Sequence, residues 1–264
     1  MYYDMHVHST FSTDSELEME KGILRAIELG LTGIAFTDHL DIDYIDHEEE
    51  FQYDFQEYFR TVEAFKDKYA SRLEILTAVE IGLEPHVIEA TKQRIAGLHF
   101  DYKIGSTHLI KRRDPYYGTY FKEGVSKKEA YDEYLEELLG NLRLYHDFST
   151  LGHLDYIVRY ANFPDSRFYY RDHAELVDEI FRFIISKDIS FEINTSTYRR
   201  QPLDRMLLLR YKELGGKLVT IGSDAHGADR IAENFSYYLE IIKDCGFPYI
   251  IHYKDGLPLQ EPIL

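Results

Sequence analysis

Short runs of β-branched and apolar residues alternate along the chain with longer stretches in which apolar residues recur every three or four positions. The short runs, at 3–7, 33–37, 74–80, 102–107, 150–153, 190–194 and 218–222, predict strands. The longer stretches predict amphipathic helices. Residues 17–29 place Ile23, Ala26 and Ile27 on one side, and residues 127–144 carry Tyr131, Tyr134, Leu135, Leu138 and Leu142. Residues 174–185, 203–214 and 230–243 follow the same period, and Gly30, Gly140 and Gly215 fall where helices are expected to end. Seven strands, each followed by a helix, predict a parallel α/β barrel.

Length and composition narrow the reading. The 264 residues contain no Pro-, Gly- or Ser-rich linker and no repeat, so residues 1–264 read as a single domain of the roughly 250 residues usual for barrels. The first residues lack a basic region followed by an apolar stretch, and no window approaches the roughly 18 apolar residues of a membrane span. A cytoplasmic protein with no membrane partner is expected. The single cysteine, Cys245, excludes an internal disulfide and thiolate metal clusters. With 47 acidic against 30 basic residues, a formal charge of −17, the chain is not expected to bind nucleic acid, and an anionic substrate would need local positive charge. The 23 tyrosines cluster at Tyr2, Tyr3, Tyr116, Tyr117, Tyr120, Tyr169 and Tyr170. Most are expected to pack with a wet hydroxyl, one or two to line a pocket, and Tyr117 is a candidate substrate contact.

Candidate chemistry then changes the picture. His6 and His8, His39, Glu80, His108, His153, Asp224 and His226 all fall at or just past the carboxyl ends of the predicted strands. Residues i and i+2 of a strand share a face, so His6 and His8 can grip one ion, and Asp224 and His226 can serve a shared cluster. A barrel gathers its strand ends onto one face, where ligands distant in sequence converge. Imidazole and carboxylate together suit zinc, manganese or iron. The sixth predicted strand ends Glu192-Ile193-Asn194-Thr195-Ser196 and supplies polar groups without an evident ligand role. His47, His86, His99, His146, His173 and His252 lie mostly in helical or loop contexts and are expected to be ordinary. Asp4 and Asp38 read as structural carboxylates or as carboxylates standing behind ligating imidazoles, rather than as ligands.

With these residues the chain resembles the polymerase and histidinol phosphatase (PHP) family, from Asp4-Met5-His6-Val7-His8-Ser9 to Gly222-Ser223-Asp224-Ala225-His226. The resemblance implies a distorted seven-stranded (β/α)7 TIM-like barrel carrying three divalent transition-metal ions. One ion would take His6, His8, Glu80 and Asp224, a second Glu80, His108 and His153, and a third Asp14, His39 and His226. Glu80 would be the bridge, since a carboxylate has two oxygens to offer ions about 3.5 to 4 Å apart. Many members carry histidine where this chain has Asp14. Aspartate is a competent oxygen ligand, and a helix cap before Ser15 and Glu16 is its alternative use.

Three divalent ions would bring about six positive charges against three carboxylates among these ligands, which makes an anionic phosphate ester the expected guest. A hydroxide bridging two ions is the expected nucleophile, with Asp224 or a metal-bound water as the acid for the leaving alkoxide. Arg159, six residues after His153, and Arg199 follow strand ends and are candidates for a bidentate hold on the phosphoryl group. Lys111, in the basic run 111–113 after His108, is another. Segments 152–156 with Arg159 and Tyr160, 191–195, and the Tyr-rich stretch 114–134 resemble the histidinol-phosphate phosphatase members of the family. They imply hydrolysis of L-histidinol phosphate, a small phosphate monoester, in L-histidine biosynthesis. The alternatives are another PHP phosphoesterase, acting on nucleotides or phosphotyrosine or as a nuclease, and a catalytically dead metal-binding module. Acidic charge weighs against the nuclease, and the full ligand set against the dead module.

Overall fold

The computed structural model describes residues 2–45, 51–118, 120–197 and 202–264. Eight strands form the sheet: β1 (Tyr3–Val7), β2 (Gly33–Phe36), β3 (His39–Leu40), β4 (Glu74–Gly82), β5 (Tyr102–Ser106), β6 (Thr150–Leu151), β7 (Ser190–Asn194) and β8 (Val219–Gly222). Seven of them run parallel in the order β1-β2-β4-β5-β6-β7-β8, and the two-residue β3 adds to β4 by pairing His39 with Glu80. This is the expected barrel. It is nearly closed, because β1 and β8 meet only near their carboxyl ends, through Asp224 N–H to His6 O (2.7 Å) and His8 N–H to Ala225 O (2.9 Å). Lower down, the buried Asp4 carboxylate fills the seam, accepting from the Ser223 amide (2.9 Å), the Ser223 hydroxyl (2.5 Å) and the Ala232 amide (2.8 Å).

Both faces of the strands are covered, which is why they read as continuous apolar runs rather than alternating ones. Tyr3, Met5, Ala35, Leu76, Ala78, Tyr102 and Ile104 fill the barrel interior. Val7, Ile34, Phe36, Val79, Phe191 and Ile221 pack in the outer layer with the helices. Those helices are α1 (Met19–Glu28), α2 (Phe55–Tyr69), α3 (Ile88–Ile95), α4 (Lys127–Leu144), α5 (Ala174–Ser186), α6 (Arg205–Glu213) and α7 (Phe235–Asp244). Asp54 caps α2 through the amides of Gln56 and Glu57, and Ser126 with Glu129 forms a capping box on α4. Gly140 lies inside α4 rather than at its end. Helix α7 starts five residues later than expected, because Ala228–Arg230 form a separate 3-10 turn and Asn234 takes a left-handed φ of 62°. Among the described residues no helix is long and apolar enough to cross a membrane.

An antiparallel hairpin, β9 (Tyr249–Lys254) and β10 (Leu257–Pro262), lies beyond the last predicted helix. Ile251 and Tyr253 enter the barrel interior beside Tyr102 and Ile104. The Tyr253 hydroxyl lies 2.8 Å from Ser190 Oγ and donates to Ser149 O at 2.9 Å, and the His252 ring stacks on Tyr3 at 3.9 Å. The hairpin thereby seals the amino ends of the strands.

Candidate metal centre

At the carboxyl ends, the strands deliver their polar side chains to one point. Glu80 continues the inward face of β4 two residues above Ala78, and Ser106 and Glu192 do the same on β5 and β7. On β1 the arrangement needs an irregularity. Asp4 pairs with Ile34 but Val7 with Phe36, three steps on β1 against two on β2. This bulge reverses the alternation. Asp4 therefore faces the seam with β8, while His6 and His8 turn inward and Val7 outward. Gly222 makes room opposite: a Cβ there would lie 2.4 Å from that of His6.

Nine residues expected from sequence converge here: His6, His8, Asp14, His39, Glu80, His108, His153, Asp224 and His226. Around the deepest point, His6 Nε2 and His8 Nε2 are 3.1 Å apart. Glu80 Oε2 is 3.3 and 3.4 Å from them, and Asp224 Oδ1 is 3.6 and 3.2 Å away. Bonds of about 2.0–2.1 Å to a tetrahedral ion require donor separations of about 3.3–3.4 Å, which His6, His8 and Glu80 approach, with Asp224 beside the two rings. The other Glu80 oxygen, Oε1, faces a second group, 3.3 Å from His108 Nε2 and 2.8 Å from His153 Nε2. A third group lies nearer the surface, where Asp14 Oδ2 is 3.5 Å from His39 Nε2 and 3.2 Å from His226 Nε2.

The electrostatics suit such a use. Burial, with the neighbouring His226 and His39 rings, pushes the His8 imidazole down to about 3, so its ring is neutral and can offer a lone pair. Burial alone would raise Glu80, but the His6, His39 and His108 rings hold its carboxyl well below the usual range. Asp224 is likewise kept ionised against burial, by Arg159 and His6.

The remaining ring nitrogens are held from behind. His6 Nδ1 lies 2.6 Å from Glu192 Oε1, and Glu192 Oε2 accepts the His153 amide at 2.7 Å. Asp41 Oδ1 lies 2.8 Å from His108 Nδ1 and Asp41 Oδ2 3.3 Å from His39 Nδ1. Glu192 and Asp41 thus stand behind the imidazoles, and of the two uses expected for Asp4 and Asp38 the structural one holds for Asp4. Asp4 closes the barrel seam instead, and Asp38 reaches His8 only through Ser12, whose hydroxyl donates to Asp38 at 2.9 Å and lies 3.2 Å from His8 Nδ1. The signals were present: Glu192 sits on the inward face of its strand, and Asp41 follows His39 by two.

A cavity of about 620 Å³ opens over these donors, and Tyr44, Phe51, Tyr116, Tyr117, Tyr156 and Tyr160 form its aromatic side. Arg159 lines it. Its Nη2 is 2.7 Å from Asp224 Oδ2 and 2.9 Å from Asn194 Oδ1, and Nε donates to Thr197 at 3.0 Å. Tyr117 also lines the cavity. Lys111 does not, because Glu133 on α4 draws its ammonium away at 2.9 Å. Arg199 lies outside the described residues, as does His47. Arg230, which sequence reasoning assigned to a helix, lines the cavity from the 3-10 turn after His226. Its place four residues past a strand-end ligand was the available signal.

Residues 4–196 match the family described as the PHP domain. A "Probable histidinol-phosphatase" from Clostridium acetobutylicum is 36% identical over 257 residues, covering 96% of this chain and 98% of that protein. The histidinol-phosphatase of Lactococcus lactis is 32% identical over 247 residues, covering 92% of this chain and 91% of that one. The crystal structure of histidinol phosphate phosphatase from Lactococcus lactis, complexed with zinc, L-histidinol and phosphate, shares the fold with a TM-score of 0.89 at 30% identity, over 98% of this chain and 100% of that chain.

Proposed function

This chain belongs to the PHP domain family, and from that premise we propose that it is a histidinol-phosphatase, hydrolysing L-histidinol phosphate to L-histidinol and phosphate in L-histidine biosynthesis. The observation that carries the chemistry is Glu80, whose two oxygens face separate groups of buried donors. In this reading His6, His8, Glu80 and Asp224 hold one divalent ion, Glu80, His108 and His153 a second, and Asp14, His39 and His226 a third, with zinc, manganese or iron as the metals. Bound there, such ions supply Lewis acidity toward phosphoryl oxygens and allow water to act as nucleophile at neutral pH.

The protein's own groups do the rest. Glu192 and Asp41 are placed to accept from Nδ1 of His6 and His108, so that Nε2 of each ring would offer its lone pair to a bound ion. Arg159 is oriented by Asp224, Asn194 and Thr197, and among the described residues its Nη1 has no partner. That arm is suited to a phosphoryl oxygen. The aromatic side of the cavity suits the imidazole and ammonium of the alcohol, through stacking and cation–π contact. A cavity of about 620 Å³ has the size for a small monoester. The hairpin β9–β10 is built into the barrel, which supports reading residues 1–264 as one phosphatase domain.

Phosphate release from L-histidinol phosphate should exceed release from a nucleotide, a phosphotyrosine peptide and a short oligonucleotide by orders of magnitude in kcat/KM. Equal or faster turnover of any of the other three would overturn the assignment.

A further inference from the structure

Resting on the reading that the cluster holds more than one divalent ion, we infer that Asp41 is a positioning residue that couples two of the subsites, those of His108 and His39, so that they load with metal as a unit. One carboxylate spans both, with Oδ1 2.8 Å from His108 Nδ1 and Oδ2 3.3 Å from His39 Nδ1. The two rings stand nearly perpendicular, their centroids 5.2 Å apart, so a single planar group reaches the edge of each. Asp41 is 6% exposed, and its amide donates to Phe51 O at 3.0 Å, which fixes the backbone from which the side chain projects.

Its seat is equally specific. A Cβ on Gly82 would lie 1.8 Å from Asp41 Oδ1, so the carboxylate rests where the bare backbone of β4 leaves space. The contact with His108 is a formed hydrogen bond, whereas the facing atoms Asp41 Oδ2 and His39 Nδ1 are both buried and both without a hydrogen-bond partner. A cation on His39 Nε2 would place the ring proton on Nδ1, which faces Asp41 Oδ2 at 3.3 Å and Glu80 Oε2 at 3.2 Å; the Glu80 oxygen also faces His6 and His8, which leaves Asp41 Oδ2 as the acceptor not shared with that subsite. An ion at either ring therefore fixes the carboxylate that the other ring needs. Asparagine cannot substitute, because it offers one acceptor and one donor where two N–H groups must be received.

The test is titration of metal-free protein with zinc, reading ions bound per chain and their apparent Kd, for the parent, Asp41→Asn and Gly82→Ala. Gly82→Ala removes no charge and no ligand; it only displaces the carboxylate. Both variants are expected to keep the ion of the His6 and His8 subsite and to weaken two others together by about 10- to 100-fold. Far-UV and near-UV circular dichroism of the metal-free forms reports whether each variant folds, and either folded variant suffices. Parent-like binding in a folded variant, or the weakening of one ion alone, overturns the coupling. A parent protein that binds no more than one ion overturns the multi-ion reading itself, and the coupling with it.

Discussion

Glu192 Oε1 and His6 Nδ1 lie 2.6 Å apart although 186 residues separate them in the chain. The contact joins β7 to β1 over Gly222 of the intervening β8, and the second oxygen of Glu192 holds the His153 amide. Glu192→Gln should keep the fold but present an amide N–H to one of these two donors. Metal at the His6 subsite is expected to bind about 10- to 100-fold more weakly. Metal titration checks this, and unchanged affinity would remove Glu192 from the supporting framework.

Glu80→Gln removes the charge that faces two donor groups at once, so two ions should be lost from gently purified protein together. His108→Ala should disturb mainly one. Elemental analysis of both variants distinguishes them, and normal metal content in Glu80→Gln would show that Glu80 is not a bridge.

Chelation should abolish phosphatase activity, with recovery on adding zinc, manganese or iron. It should also lower the melting temperature, because an ion that binds only the folded chain adds about 2.7 kcal/mol when its free concentration is 100 times Kd. Scanning calorimetry with and without metal measures the shift. Full activity in metal-free protein would refute the metal-dependent reading.

Arg159→Ala should lower kcat/KM by on the order of 10² or more, given a charge-assisted contact that strengthens in the transition state. If Arg159 only gripped the phosphoryl group, metal content would survive this change. The 2.7 Å ion pair between Arg159 and Asp224 revises that expectation, since Asp224 is also a donor of the deepest group. Metal affinity at that subsite should fall as well, and lysine should rescue poorly because it lacks the fork. Parent kinetics in Arg159→Ala would shift phosphate binding to the metals and to other groups such as Arg230.

The seven parallel strands and eight of the nine converging residues were legible because both leave local marks: apolar runs for the strands, and metal-type side chains where those runs end; Asp14, seven residues past β1, was reached only through the family resemblance. What stayed hidden depends on long-range geometry. The bulge in β1 turns His6 inward and Asp4 toward β8, an outcome that strict alternation cannot distinguish from its opposite. Asp41 and Glu192 look like ordinary strand-end carboxylates until the fold sets them behind imidazoles. Lys111 follows a ligand in sequence, yet Glu133 on α4 holds it away from the cavity. The final hairpin did carry a signal in Ile250, Ile251 and the Asp255-Gly256 turn, but Pro258 and Pro262 disguise its second strand.

That hairpin has a consequence for traffic. With Ile251 and Tyr253 stoppering the amino end of the barrel, the substrate and both products share one doorway. If phosphate is held by the donors at the carboxyl ends of the strands and the alcohol by the aromatic residues that line the cavity over them, the alcohol departs first and the anion last. Inorganic phosphate should then compete directly with incoming ester, whereas L-histidinol should inhibit without competing. Steady-state inhibition patterns would read that order of departure from the outside.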